Sequence, residues 1–157
     1  MTATFADQLR AFIDADLARS PVAATSIGDH RHDDRWPAAG EAARLERLAF
    51  VDHWEAIFRA FPDADLTVDE AVDRDLVLME LAAARFQDED LHEERWNPLD
   101  WVYLLGDGLF LLISREFAPL ADRLASVAGR LETMPALLDG AREVLACGQR
   151  PGIDVEA

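Results

Sequence analysis

The stretch Thr67-Val-Asp-Glu-Ala-Val-Asp-Arg-Asp-Leu-Val-Leu-Met-Glu-Leu-Ala-Ala-Ala-Arg-Phe86 decides the fold class. Thr67 and Glu70 form a capping box, in which each side chain accepts a backbone N–H from the other residue at a helix start. Behind it Val72, Leu76, Met79, Ala83 and Phe86 recur at helical spacing and predict the apolar face of an amphipathic helix. Upstream, Leu45, Leu48, Val51, Trp54, Ile57, Phe58 and Phe61 keep the same period until Pro62 ends it. The two segments predict an antiparallel helical pair.

The same signals extend in both directions. Thr4 stands three residues before Asp7, a capping-box-like start for a helix carrying Phe5, Leu9, Phe12, Ile13 and Leu17. Ser20-Pro21 opens a short second helix and Gly28 stops it. Asp29 to Gly40 has no apolar period and predicts a loop. Asn97-Pro98 opens the most apolar segment, from Leu99 and Trp101 to Ile113, which predicts a buried central helix. Its Gly106-Asp-Gly108 lacks the strand and the Lys and Ser/Thr pattern of a phosphate loop, and is read as a helix-packing feature. Pro119 opens a helix carrying Leu120, Leu124, Val127 and Leu131, Pro135 opens another carrying Leu137, Leu138, Val144 and Leu145, and Gly148 to Ala157 reads as an extended tail. No segment alternates as a strand does, and no fixed-period repeat occurs. The expectation is an all-α fold, an irregular helical bundle of about six or seven helices in a single domain over residues 1–157.

Composition narrows the function classes. The 157 residues carry 31 acidic and 15 basic side chains, a formal charge of −16 and a pI near 4.4. All the basic residues are Arg, a usage read as genome composition. This acidity disfavours nucleic acid and anionic membranes, which are bound through basic patches. Met1 to Phe12 lacks a basic start followed by an apolar run, and no segment is long and apolar enough to span a bilayer, so a cytoplasmic location is expected. Cys147 is the lone cysteine, which excludes an internal disulfide and a multi-thiolate zinc site.

His30-x-His32-Asp33-Asp34 is the one cluster with metal-ligand chemistry. In so acidic a chain a His beside two Asp carries little specificity, so a solvated or hydrogen-bonded loop is the favoured reading. A metal-dependent enzyme using His30, His32 and Asp33 is the lesser alternative. His92-Glu93-Glu94 begins like a zincin helix, but Trp96 stands where the second His belongs, which predicts a solvated helix end. His53 reads as a packed or surface residue. Asp73 with Asp75, and Asp88 with Glu89 and Asp90, read as solvated faces. No residue is assigned a catalytic, cofactor-binding or metal-binding role.

Two stretches together resemble the N-terminal part of the bacterial domain of unknown function 885 family. One is Ser20-Pro-Val-Ala-Ala-Thr-Ser-Ile-Gly28 running into Asp29-His30-Arg-His-Asp-Asp-Arg-Trp-Pro37. The other runs from Asn97-Pro98 through Leu104-Leu-Gly-Asp-Gly108, Ser114-Arg115-Glu-Phe-Ala-Pro119, Arg123-Leu124, Arg130-Leu131 and Met134-Pro-Ala-Leu-Leu138 to Ala141-Arg142. The resemblance implies a mostly helical protein akin to zinc metallopeptidases, whose longer members carry a His-Glu-x-x-Pro-Gly-His zinc motif far downstream. No position here matches that motif, so zinc is implied for full-length relatives and no cofactor for this chain. Gly152-Ile-Asp-Val-Glu156 is similar to the start of the family's next helix. The resemblance therefore implies an N-terminal portion, inactive alone, that supplies a cleft wall and docks a missing C-terminal catalytic region. The alternative is a free-standing interaction module that binds a protein partner, or its own copy, through the apolar face of Trp101 to Ile113. The candidate binding loop comprises His30, His32, Asp33, Asp34, Arg35 and Arg115, of which Asp33, Asp34, Arg35 and Arg115 match the family's pattern.

Overall fold

A computed structural model describes residues 3–148 of the chain. Among them it has seven α-helices and no strand: α1 Phe5–Arg19, α2 Pro21–Ile27, α3 Glu41–Arg59, α4 Val68–Phe86, α5 Glu93–Trp96, α6 Pro98–Ser114 and α7 Leu120–Gly148. The all-α bundle expected from periodicity is therefore the observed architecture. Gly148, expected to open an extended tail, is instead the last residue of α7; the rest of that tail, with the Gly152 to Glu156 stretch, and the Cys147 side chain lie outside the described positions.

The caps are where local chemistry places them. Both capping boxes are closed: Thr4 with Asp7 at α1, and Thr67 with Glu70 at α4. Asn97 accepts the Leu99 N–H at 3.2 Å and Pro98 occupies the first turn of α6. Gly28 ends α2 in the left-handed conformation, φ 93°, which glycine adopts without strain.

Helices α1, α3 and α4 share an apolar core of Phe5, Val51, Trp54, Phe58, Val77 and Leu81. Phe12 meets Trp54 and Phe58 edge-on, with centroids 5.5 and 5.6 Å apart, geometries favoured by ring quadrupoles. Helices α3 and α4 are antiparallel, because low numbers on one meet high numbers on the other: Arg85 bonds Asp52 and Glu55 at 2.7 and 2.8 Å, while Arg47 bonds Asp88 at 2.6 Å.

Five expectations need correction. The apolar stripe of α4 faces the wrong way: Val72, Leu76, Met79 and Phe86 are about half exposed, and Val77 and Leu81 face the core. Helix α4 is apolar on more than one side, so its rotation is fixed by Arg74, bonded to the Phe61 carbonyl and Asp63, and by Arg85. Helix α6 is not a buried central helix. Only Gly108 and Leu112 are buried, and its opposite side is bare.

Pro135 does not open a helix; α7 runs through it. Proline removes the main-chain bond to the Leu131 carbonyl and crowds the preceding turn, but just before that turn α7 is tied to the loop from Asp29 to Gly40, where Trp36 Nε1 donates to the Arg130 carbonyl at 2.7 Å. Leu137, Ala141 and Val144 then bury the next three turns. Finally, Asp88 is buried, held by Arg47 on the π-helical turn Gln87–Leu91, and His92 is a half-buried left-handed residue, φ 49°, ahead of α5.

Candidate functional site

The loop expected from Asp29 to Gly40 is a strap lying across α6 and α7. Trp36 fits because residue 108 is glycine: a Cβ there would overlap the six-membered ring of Trp36. A Cβ at Gly140 would come within 2.8 Å of Ala39. Trp36 Nε1 then donates to the Arg130 carbonyl, and the Arg130 guanidinium lies 5.4 Å from the Trp36 ring centroid.

Arg130, with 0% of its area exposed, ties the strap to the helices. Its Nε donates to the Arg35 carbonyl at 3.1 Å, one terminal nitrogen to the Gly108 carbonyl, and the other to Thr25 Oγ1 at 2.8 Å and the Pro21 carbonyl at 3.5 Å. Four segments thus share one side chain. Burial pushes the guanidinium below its ordinary pKa, and the charges of Asp33 and Asp34 oppose that shift. Thr25 Oγ1 lies 2.6 Å from Asp33 Oδ1, and His30 Nδ1 lies 2.8 Å from Asp33 Oδ2. The His30 ring stacks on Phe117 at a centroid distance of 3.5 Å.

The six residues expected in a binding loop therefore divide. His30 and Asp33 meet, with both Asp33 oxygens engaged. Arg35 contacts His32 with its side chain and serves Arg130 with its carbonyl. Asp34 is exposed, its backbone pressed on Gly129. Arg115 reaches across to the Ser26 carbonyl at 2.8 Å, on the last turn of α2. Beside them Arg31 bonds Asp29 and Asp14 and holds the Asp29 carboxyl at about 2.

A carboxylate–imidazole pair such as His30–Asp33 orients a base or a metal ligand when something converges on the second ring nitrogen. Among the described residues no three His, Cys, Asp or Glu side chains are grouped to hold a metal ion. The observed chemistry of the cluster is assembly: it fastens α2, the strap and Phe117 around α7.

Arg123, Arg130, Thr25 and Trp36 stand in the stretches that carry the family resemblance, but no role was read for them from the sequence. Their signal lay in α7, where Arg123, Arg130, Leu137, Ala141 and Val144 follow at spacings of seven, seven, four and three, one face of a helix. Two arginines on an apolar face imply buried acceptors. Arg123 finds them in the Leu112, Ile113 and Ala118 carbonyls at 3.3, 2.8 and 3.0 Å, capping the end of α6.

Residues 21–156, which include the strap and both arginines, match the family described as "Bacterial protein of unknown function (DUF885)". The chain belongs to this family. A solved structure of a candidate lipoprotein of unknown function from Shewanella oneidensis is similar over 92% of this chain, at 33% identity and a TM-score of 0.85. This chain spans 26% of that relative's length. No curated protein matches. Among the described residues no helix is long and apolar enough to cross a membrane.

Proposed function

We propose that this chain is the N-terminal helical region of a larger protein resembling zinc metallopeptidases, forming one wall of a substrate cleft and having no catalysis of its own. The observation that carries this reading is the bare side of α6, where Leu99, Val102, Tyr103, Phe110 and Ile113 are each between 55% and 64% exposed. On the neighbouring α7, Leu120, Leu124 and Leu131 are about half exposed. The five α6 residues share one helix face, and an exposed apolar face of this kind is the usual mark of a contact surface.

Its occupant, on this reading, is the remainder of a longer chain, since a solved relative extends far beyond the matched region. A second copy is disfavoured because each carries −16 and like charges repel. Any zinc chemistry belongs to that remainder, and no step is assigned to the residues described above.

The mass of the gene product in its source cells is the first test. A product of several hundred residues is expected, and Val102→Glu with Phe110→Glu should then release the separately produced remainder from this region. A product of 157 residues that stays monomeric would overturn the reading in favour of a free-standing interaction module. The lipoprotein description of the solved relative bears on location; the cytoplasmic placement is a proposal that cell fractionation tests against envelope attachment.

A further inference from the structure

A cavity of about 390 Å³ opens between the end of α1, the strap, α3 and α6, a volume within the range of small-molecule pockets. Pro37, Ala43, Phe50, Trp101 and Leu104 give it apolar walls. The Trp101 N–H is already donated to the Glu94 carbonyl at 3.1 Å, which fixes the indole as a wall. Arg47 also borders the cavity, but its guanidinium is engaged by Asp88 at 2.6 Å and Glu94 at 2.7 Å.

Arg19 differs from the other arginines in this region. Its guanidinium lies 4.2 Å from the Phe50 ring centroid, and its nearest carboxylate, on Asp16, is 3.9 Å away. No hydrogen-bond acceptor serves it among the described residues, its side chain is 26% exposed, and it borders this cavity as well as a smaller one on the side of Phe12, Asp16 and Glu80. A guanidinium stacked by one face on an aromatic ring keeps its N–H edge available as a planar fork, which matches the two oxygens of a carboxylate.

We propose that this cavity binds a small organic acid with an apolar body, its carboxylate taken by Arg19 and its hydrocarbon or aromatic part seated against Phe50, Trp101 and Leu104. One available guanidinium suits a monoanion. Glu46 on the rim repels any anion, but a phosphate dianion about twice as strongly as a carboxylate, and one guanidinium would leave the dianion with uncompensated charge. Burial pushes the Arg19 pKa down, with Asp16 and Asp88 opposing the shift and Arg47 adding to it; a bound carboxylate would oppose it further.

The test titrates the 157-residue chain with 3-phenylpropionate and, separately, with its neutral amide, following heat and the indole NMR signals. The acid should bind about ten- to a hundredfold more tightly than the amide, the range expected for hydrogen bonds to a charged group. Arg19→Gln should erase that preference, Arg19→Lys should keep part of it, and Trp101→Ala should weaken both ligands. Circular dichroism checks that each variant is folded, and Arg19→Lys carries the test if Arg19→Gln is not. Equal binding of acid and amide by the unmodified chain, no binding of either at millimolar concentration, or a preference that survives Arg19→Gln would overturn the assignment.

Discussion

Replacing Arg130 by Ala should unfold the strap side of the molecule before the α1–α3–α4 core. The guanidinium serves carbonyls of Arg35, Gly108 and Pro21 and the Thr25 hydroxyl, all inside the protein. Ala at this position leaves those acceptors without a donor, beneath a Trp36 ring that has lost its packing partner. Each buried acceptor left unsatisfied costs about 1–3 kcal/mol, so the loss of a donor shared by several of them is put at about 3–5 kcal/mol. For a chain of this length each kcal/mol shifts the midpoint by about 2–4 °C, so thermal unfolding by circular dichroism should fall by roughly 6–20 °C. Arg130→Lys should recover only part of this, since an ammonium cannot span four acceptors held around a flat fork. Hydrogen exchange should show the largest loss of protection in residues 29–40 and in the facing turns of α6 and α7. An Arg130→Ala midpoint within about 3 °C of the unmodified chain, or exchange that rises evenly across all helices, would refute the assignment of Arg130 as the tie between strap and helices.

Three other outcomes follow from the same geometry. Leu81→Ala should destabilise by about 2–5 kcal/mol in urea unfolding, whereas Leu76→Gln should fall within about 0.5 kcal/mol of the unmodified chain; equal effects would mean that α4 is rotated from the observed orientation. Gly108→Ala gains about 1 kcal/mol of helix propensity but drives a methyl into Trp36, so a net loss of about 1–3 kcal/mol is expected, with blunted near-ultraviolet circular dichroism. Glu41 is held down to about 2, from an ordinary value of 4.5, by hydrogen bonds from Arg44 and then Arg95. A carboxyl whose folded value is depressed stabilises the fold above its unfolded value and loses that contribution as pH falls toward the folded value. The melting difference between the unmodified chain and Glu41→Gln should therefore be constant above about pH 5 and shrink between about pH 4.5 and 2; a difference that grows with acid would reverse the sign of the pairing.

How much was legible in the sequence differs by element. The helix starts were readable because a capping box or an Asn-Pro pair is chemistry between residues at most three apart. The core face of α4 was not, since the segment is apolar on several sides and Arg74 and Arg85 choose among them by reaching α3 and the turn before α4. Pro135 misled for a related reason: its penalty is local, while the packing of Arg130, Leu137, Ala141 and Val144 that outweighs it comes from other elements. In the candidate loop, the proximity of His30 to Asp33 was visible, but not that Thr25 and Phe117 would close around them.

By itself, then, the sequence determined that the chain is helical, where most helices begin, and which family it resembles, because these depend on spacing and on short-range hydrogen bonds. Tertiary structure alone decided which apolar faces are covered, that Asp88, Arg123 and Arg130 lie inside, and that Arg19 stands at a cavity without an acceptor. Burial is a property of what lies opposite a side chain, and the residues opposite these arrive from elsewhere: Trp36 is separated from Arg130 by 94 positions and Asp88 from Arg47 by 41.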